Sequence, residues 1–362
     1  MKIKSIFTSV VSLAITLTLA GCGGGGGGSA PAAAAGFSKG VITAKGSITV
    51  NGVKFNSSSA MVRFDNLSGA GIDDSKLKVG MVVKIKGKID DATKTGVADK
   101  VEFTDNLEGP IDAKSIVNST LTVFGQTIQV DNNTVFEGFT GLADTTLLVG
   151  DRVEVSGFPN NSGGILATRI EKKTGVADDF EIKGTVTAVG ANSFTLTPLN
   201  STQPLTVTLG QGVTMPAINS FVEVRTTGSG AAIIATKVEM EDELKADDKD
   251  RVEVEGFVTS INTENKTFVV NGITVDASAM TMPTVGQKVE VEGTMLNGVL
   301  VPAKAIQVEQ ESDSRIETDV TAIGTNSITL LGSLTGFVTS ATIFKDDSSA
   351  KVSYVRTSVT QA

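Results

Sequence analysis

The sequence predicts an all-β protein built from tandem copies of one small domain, and three observations support this fold class. Apolar and polar residues alternate in short runs, as in RVEVEG, where Val252 and Val254 face one side. A period of two over four to eight residues is typical of half-buried strands. Asn-Gly pairs beginning at Asn51 and Asn271 are strong hairpin signals. No window shows a convincing helical period.

One pattern recurs down the chain. Each copy has a Gly-led strand, a hairpin, a run resembling VGxxVEVxG and a closing strand resembling AxxIE. The opening strands are GVITA from Gly40, GPIDA from Gly109, GTVTA from Gly184, GFVTS from Gly256 and TDVTA from Thr318. The closing alanines, Ala98, Ala167, Ala235 and Ala303, lie 69, 68 and 68 residues apart. We therefore predict four complete units and an incomplete fifth.

Each unit has room for about five strands, because its length is about 70 residues. A small antiparallel sheet avoids exposed edges by closing, and the five-stranded OB-like barrel best matches this strand count. We therefore predict OB-like barrels arranged as beads on a string, with the last one incomplete. Gly87, Gly157 and Gly293, after the fourth strand, suit a bulge or corner. The alternative is a pair of small β-sandwiches, which usually need seven strands per domain.

The first residues predict export and a lipid anchor. Two lysines precede an uncharged, mainly apolar run over residues 6–19, which is typical of a signal peptide and too short to span a membrane. The LAGC motif ending at Cys22 resembles the lipobox of bacterial lipoproteins. That resemblance implies cleavage before Cys22 and acylation of this residue; because Gly23 follows, it also implies the outer membrane in a diderm bacterium. The alternative is an ordinary secretory signal with an incidental cysteine.

The predicted boundaries follow flexible or charged joints. Gly- and Ala-rich residues after Cys22 form a tether of about 20 Å, and an acidic segment separates the third and fourth units. The predicted segments are 1–21 (signal peptide), 22–37 (lipidated cysteine and tether), 38–106 (repeat 1), 107–175 (repeat 2), 180–240 (repeat 3), 241–251 (acidic linker), 252–310 (repeat 4) and 316–362 (partial repeat 5).

Composition excludes several classes of function. The chain has 31 basic and 40 acidic side chains, a net charge of −9, which argues against nucleic acid as a partner. It has no histidine, and Cys22 is its one cysteine. Catalytic triads with histidine, disulfides, and zinc, haem or iron–sulfur sites that need imidazole or thiolate are therefore excluded. Carboxylate catalysis, lysine chemistry and binding of hard cations remain possible.

The acidic linker offers oxygen ligands, which calcium prefers. It lacks the ligand spacing and central glycine of an EF-hand, and two lysines lie among the acids, so a solvated linker is the favoured interpretation. We predict no cofactor and no metal site. The weak candidates for metal ligands, within a segment that also holds Glu241 and Glu243, are Asp242, Asp247, Asp248 and Asp250.

The repeated order of motifs resembles an exported bacterial domain family, domain of unknown function 5666. The best copy runs from Val149 to Gly157 and from Ala167 to Glu171. The third unit departs from the pattern by having Asn219 and Ser220 where the others have Val-Gly. The resemblance implies the fold and export. It implies no activity.

These observations predict a membrane-anchored extracytoplasmic lipoprotein that acts as a non-catalytic binding or scaffolding array. The expected partners are the membrane, through Cys22, and an envelope protein or glycan. Self-association through an open edge of the fifth unit is a further expectation. The alternatives are a calcium-binding surface protein and a carboxylate hydrolase acting on envelope glycans. The hydrolase would use glutamates such as Glu154, Glu171 and Glu239, which fall at strand positions expected to face solvent.

Overall fold

A computed structural model of the chain describes residues 34–44, 47–64, 67–72, 74–160, 162–174, 180–199, 201, 203–227, 233–240, 245–308, 320–324, 327–330 and 334–337. These residues form 27 strands and one 3₁₀ turn at Asp74–Lys76, with no α-helix among them. The predicted all-β class is confirmed.

Barrel 1 is a ring of five strands with two strands attached to its side. Its strands are β1 (Ala34–Ala44), β2 (Ile48–Val50), β3 (Val53–Asn56), β4 (Met61–Phe64), β5 (Leu67–Ile72), β6 (Val82–Asp90) and β7 (Thr95–Phe103). The ring order is β1-β2-β3-β7-β6 and back to β1, with only β3 and β7 parallel. Strand β4 pairs with β7, and β5 pairs with β4.

Barrel 2 repeats this ring. Its strands are β8 (Leu107–Ser115), β9 (Thr120–Val123), β10 (Gln126–Gln129), β11 (Val135–Glu137), β12 (Arg152–Pro159) and β13 (Ile165–Lys172). The order is β8-β9-β10-β13-β12 and back to β8, and β10 and β13 are parallel. Strand β11 attaches to β13 in parallel.

Barrels 3 and 4 close in the same way. Barrel 3 contains β14 (Phe180–Val189), β15 (Ser193–Pro198), β16 (Leu205–Leu209), β17 (Phe221–Thr227) and β18 (Ile233–Met240). Barrel 4 contains β19 (Arg251–Asn262), β20 (Thr267–Val270), β21 (Ile273–Asp276), β22 (Lys288–Leu296) and β23 (Val299–Pro302), with β24 (Gln307–Val308) attached to β22. In both rings the first strand pairs with the second and the fourth, and the third and fifth are parallel.

The ring order first, second, third, fifth, fourth defines a five-stranded Greek-key barrel of the OB type. The predicted OB-like fold is therefore confirmed, rather than the sandwich alternative. In the fifth unit the structure describes a three-stranded antiparallel sheet of β25 (Val320–Ile323), β26 (Ser327–Leu330) and β27 (Leu334–Phe337). The predicted open edge of this unit lies outside the described residues.

One turn before the fourth strand recurs in all four barrels. In barrel 1 the Gly80 amide donates to the carbonyl of Ile42 at 2.9 Å, and Gly80 has φ of +89°. Gly150 and Gly286 make the equivalent bonds in barrels 2 and 4. In barrel 3, Asn219 takes this position with φ of +65° and donates to the carbonyl of Val186 at 2.8 Å. Asparagine tolerates the left-handed region better than most residues, so the departure in sequence keeps the turn.

The barrels are joined to one another through shared sheets. Residues 36–39 of β1 pair in parallel with residues 251–254 of β19, so barrels 1 and 4 share one sheet. Residues 107–108 of β8 pair with residues 181–182 of β14, so barrels 2 and 3 share another. Barrels 2 and 3 also share one hydrophobic core, and Phe37 of β1 packs into the core of barrel 4.

Two predicted boundaries also move. Strand β1 begins at Ala34, inside the segment assigned to the tether, because residues 36–39 lie between two neighbouring strands. At the acidic linker, Arg251 already belongs to β19, and Asp250 is buried. The predicted bulge glycines lie within the fourth strand rather than after it. Gly87 and Gly157 adjoin register shifts, whereas Gly293 pairs with Pro302 without one.

Candidate functional site: buried ion pairs where the barrels join

The junctions between barrels contain many buried charged side chains. Burying a charge costs much free energy unless it is paired, so these residues are expected to contact opposite charges. Six of them lie on β8, β14 or β19, strands that join one barrel to another. The buried charged residues are Lys84, Glu102, Asp105, Glu108, Glu154, Arg169, Glu181, Lys183, Glu223, Asp250, Arg251, Glu253 and Glu255.

A row of glutamates crosses the sheet that barrels 2 and 3 share. Strand register places each one opposite the next on neighbouring strands, so their side chains share one face of the sheet. Like charges at such positions repel, so the row requires cations beside it. The glutamate row consists of Glu137 on β11, Glu171 on β13, Glu154 on β12, Glu108 on β8 and Glu181 on β14.

Basic residues contact every member of the row. Arg169 pairs with Glu137 and lies 3.4 Å from Glu171. Lys173 contacts both Glu154 at 2.6 Å and Glu171 at 3.4 Å. Arg152 pairs with Glu108, and Arg225 contacts Glu181 at 3.1 Å. The row is therefore balanced along its length.

Lys183 of barrel 3 contacts the segment that precedes barrel 2. Its side chain is only 3% exposed, and its ammonium group lies 2.8 Å from Glu181. It also donates to the backbone carbonyl of Asp105 at 2.9 Å and to the carboxylate of Asp105 at 3.1 Å. Asp105 lies in the connection between β7 and β8, so Lys183 ties this connection to barrel 3.

Burial shifts the pKa values along the row. It raises the pKa of Glu154 to about 6, with Lys173 opposing the shift. Burial also raises the pKa of Glu108, despite the charge of Arg152. At Glu181 burial acts in the same direction, but Lys183 and Arg225 outweigh it and hold the pKa below its usual value. Two carboxyls of the row, those of Glu154 and Glu108, thus have pKa values above that of a free glutamate.

Three of these carboxylates lie close enough to surround a cation. Oxygens of Asp105, Glu108 and Glu154 lie within 4.8 Å of one another, and they are the only such group of three or more among the described residues. Each already contacts a basic group: Lys183, Arg152 and Lys173, respectively. The arrangement is that of a closed ion-pair network.

A second network joins barrels 1 and 4. Arg251 donates to Asp91 at 2.9 Å and lies 3.1 Å from Glu292 and 3.4 Å from Glu253. Burial raises the pKa of Glu253, although Arg251 opposes this shift. Lys86 of β6 pairs with Asp247. Each junction thus combines strand pairing with buried or half-buried ion pairs.

The glutamates of the hydrolase hypothesis occupy different environments. Glu154 was expected to face solvent, and this was wrong. Its side chain lies on the face of β12 opposite the core residues Val153 and Val155, as the alternation predicts. That outer face is also buried at this point, so Glu154 does not reach solvent. Glu171 lies opposite Glu154, and Lys173 contacts both. Glu239 is in another barrel, half exposed and paired with Lys237 at 2.6 Å.

Three of the candidate metal ligands of the acidic segment make contacts within the protein. Asp250 accepts the amide of Asp247 at 2.8 Å, and Asp248 accepts the amide of Asn297 at 2.8 Å. Asp247 pairs with Lys86, as described above. Asp242 lies outside the described residues, and so do Glu241, Glu243 and Cys22. Within the described part of the chain, no helix is both long and apolar enough to cross a membrane.

Sequence reasoning missed the basic residues that balance the junctions, namely Lys183, Arg225, Arg169 and Arg251. Alternation places their side chains on outer faces, which sequence alone reads as solvent. One signal was available: Lys183 and Arg225 follow glutamates by two residues in EIK and VEVR, so the paired charges fall on the same face of a strand.

These features define a class of protein: a tandem array of OB-like barrels whose members are joined in pairs by shared sheets. Residues 39–102, 108–171 and 255–306 match the family model described as domain of unknown function 5666. The chain is therefore a tandem-repeat protein that carries three copies of this domain, in barrels 1, 2 and 4. Barrel 3 has the same ring of strands without such a match.

No curated protein matches the chain. Among solved structures, a Drosophila chain described as Unr CSD456 matches with 14% sequence identity and a TM-score of 0.18. The match covers 57% of this chain and 97% of that one, and at this score it carries no weight for function.

Proposed function

We propose that this protein is a lipid-anchored binding or scaffolding protein of the cell envelope, without catalytic activity. The observation that carries the proposal is the joining of four OB-like barrels into paired sheets close to the predicted anchor. Only residues 23–33 separate Cys22 from β1. At about 3.5 Å per extended residue, they reach at most about 40 Å. The first joined pair of barrels would therefore stand just outside a membrane.

The junctions support binding rather than catalysis. A general acid needs a shifted pKa and access to substrate. The carboxyls with raised pKa values are Glu108, Glu154 and Glu253, and all three are buried. Burial within the joined barrels raises these three pKa values, so the shifts are explained without a substrate.

Repeated exposed surfaces support the role of an array. The aliphatic residue in the turn before the fourth strand is exposed in three barrels, as Val149, Ile218 and Val285. Several weak binding surfaces on one anchored body raise the effective concentration for a partner that carries repeated sites. The net charge of −9 favours an envelope protein or glycan over nucleic acid.

The anchor is tested by fractionating cells that express the wild-type protein, Cys22→Ser or the control Ser29→Ala. We expect the wild type and the control to incorporate a fatty-acid probe and sediment with membranes, and Cys22→Ser to lose the probe. Labelling of Cys22→Ser, or a wild-type protein free of lipid, would contradict the anchor. Recovery on the outer membrane would place the anchor there in a diderm host.

The binding role is tested by cross-linking in intact cells, followed by mass spectrometry. We expect one defined envelope component to be captured on the barrels. The hydrolase alternative predicts instead that a carboxylate-reactive glycoside probe labels a single glutamate, such as Glu154 or Glu171. Specific labelling of that kind would overturn the proposal.

A further inference from the structure

One turn of barrel 1 packs against a strand of barrel 2. Val79, in the turn before β6, is only 7% exposed. Arg169 of β13 donates to the carbonyl of Val79 at 3.2 Å, and the hydroxyl of Thr168 lies 2.6 Å from the carbonyl of Gly80. We call Val79–Gly80 the docking turn and Thr168–Arg169 the docking strand. A threonine followed by a cation therefore recognises two successive carbonyls.

The contact requires glycine at the second position of the turn. A Cβ at Gly80 would lie 2.8 Å from the carbonyl oxygen of Thr168 and 3.0 Å from the Cβ of Arg169. These distances are shorter than packed atoms tolerate. The carbonyl oxygen of Thr168 belongs to the backbone, so it cannot rotate away from a Cβ. The contact therefore needs a residue without a Cβ at the position of Gly80.

An equivalent docking turn in barrel 2 is exposed. Val149 is 63% exposed, and its apolar neighbour Leu148 is exposed as well. Gly150 has φ of +92°, and a Cβ there would meet nothing within 4 Å. Barrel 3 keeps the turn, but Asn219 carries a Cβ at the position where this contact needs glycine. In barrel 4 the residue before Val285 is Thr284, so the turn of barrel 2 is the more apolar one.

An equivalent docking strand in barrel 3 is also exposed. Thr236 and Lys237 of β18 occupy the positions of Thr168 and Arg169, and both are exposed. The hydroxyl of Thr236 lies 3.2 Å from the carbonyl of Arg225, just as that of Thr168 lies 3.0 Å from the carbonyl of Ser156. The corresponding pairs in barrels 1 and 4 lack the threonine. They are Asp99–Lys100 and Lys304–Ala305.

We propose that the Val149–Gly150 turn of one copy of this protein docks on the Thr236–Lys237 strand of a second copy. The interface between barrels 1 and 2 supplies the geometry, and Ile234 and Met240 add exposed apolar surface on β18. Within one chain both surfaces remain exposed, because β8 and β14 already hold barrels 2 and 3 together. The inference extends the proposed binding function by naming a partner, and it does not depend on the lipid anchor.

The test uses the full chain in detergent, with unlabelled and ¹⁵N-labelled copies mixed. A photo-reactive residue at position 149 is activated, and cross-linked peptides are sequenced. We expect peptide pairs of mixed isotope that join residue 149 to residues 233–240. Three outcomes would overturn the proposal. They are cross-links found only between peptides of the same isotope, cross-links from residue 149 to residues 318–362, and cross-links to other proteins alone.

Sedimentation of variants gives a second measurement. Val149→Arg places a cation against Lys237, and we expect the dissociation constant of the dimer to rise at least about tenfold. Lys237→Ala, which removes the donor to the turn carbonyl, is expected to weaken association less. The control is Val117→Arg, at a 94% exposed site on another loop of barrel 2.

Equal association of Val149→Arg and the wild type would refute the interface, as would a wild type that is monomeric at about 100 μM, where even weak interfaces form. Circular dichroism confirms that the variants are folded. Loss of self-association would leave the result for Cys22→Ser unchanged, so this inference and the proposed function fail separately.

Discussion

The ammonium group of Lys183 lies 3.1 Å from the carboxylate of Asp105, and both side chains are buried. This pair links the first strand of barrel 3 to the connection between barrels 1 and 2. Removing one partner of a buried pair leaves an uncompensated charge, which costs about 3 to 5 kcal/mol. We therefore expect Lys183→Met to lower the free energy of unfolding by about this amount, measured with urea.

Lys237→Met is the matched control, because Lys237 pairs with Glu239 at the surface. Exposed pairs contribute about 0 to 1 kcal/mol, so this variant should be nearly as stable as the wild type. Equal losses in the two variants would mean that the pair of Lys183 and Asp105 does not stabilise the junction.

The raised pKa of Glu154 should make the free energy of unfolding depend on pH. Its pKa is raised from 4.5 to about 6 in the folded protein, so the folded state binds the proton more tightly than the unfolded state. Stability from this group is fully present below pH 4.5 and is lost as pH rises through about 6. At 1.36 kcal/mol per pKa unit, the loss is about 2 kcal/mol.

The measurement compares the wild type with Glu154→Gln between pH 4.5 and 6.5. We expect the wild type to lose about 1.5 kcal/mol of this stability relative to the variant over this range, because glutamine does not titrate. Glu239→Gln, at a half-exposed position, should show no such trend. A constant difference between the wild type and Glu154→Gln would contradict the raised pKa.

The sequence sufficed for the barrels because local rules determine them. Alternation, Asn-Gly hairpins and the recurring glycine before the fourth strand each act within one unit. Asn51 and Gly52 have φ values of +48° and +73°, as a tight hairpin turn requires. The repeat spacing then gave the number of units. None of these signals depends on how one barrel meets another.

Which barrels join, and through which strands, could not be predicted, because this depends on contacts distant in sequence. Phe37 follows a Gly- and Ala-rich segment and looks like the end of a tether, yet β19, more than two hundred residues later, pairs beside it. For the same reason Glu154 was assigned to solvent. Alternation gives the face of a strand but does not tell whether another barrel covers that face.

Phe37 offers a direct test of the joining of barrels 1 and 4. It belongs to β1 but packs into the core of barrel 4, and it is 2% exposed. Truncating a buried phenylalanine costs about 3 to 5 kcal/mol. We expect Phe37→Ala to increase hydrogen exchange in β19 and β22 more than in the hairpin of β2 and β3.

The control for Phe37→Ala is Phe55→Ala, since Phe55 is fully buried in the core of barrel 1 itself. This variant should increase exchange first in β2, β3 and β7. If Phe37→Ala left the exchange of β19 unchanged, the pairing of β1 with β19 would be refuted.

Gly157 tests the close packing that shapes the fourth strand of barrel 2. It adjoins a register shift between β12 and β13, and a Cβ there would overlap the carbonyl oxygen of Leu166. We expect Gly157→Ala to lower the free energy of unfolding by about 2 kcal/mol or more, because the clash is with backbone. Gly125→Ala is the control: a Cβ there meets nothing within 4 Å, and only its φ of +71° is unfavourable. Gly125→Ala should lower the free energy of unfolding by about 1 kcal/mol. A smaller loss of stability for Gly157→Ala than for Gly125→Ala would contradict the packing argument.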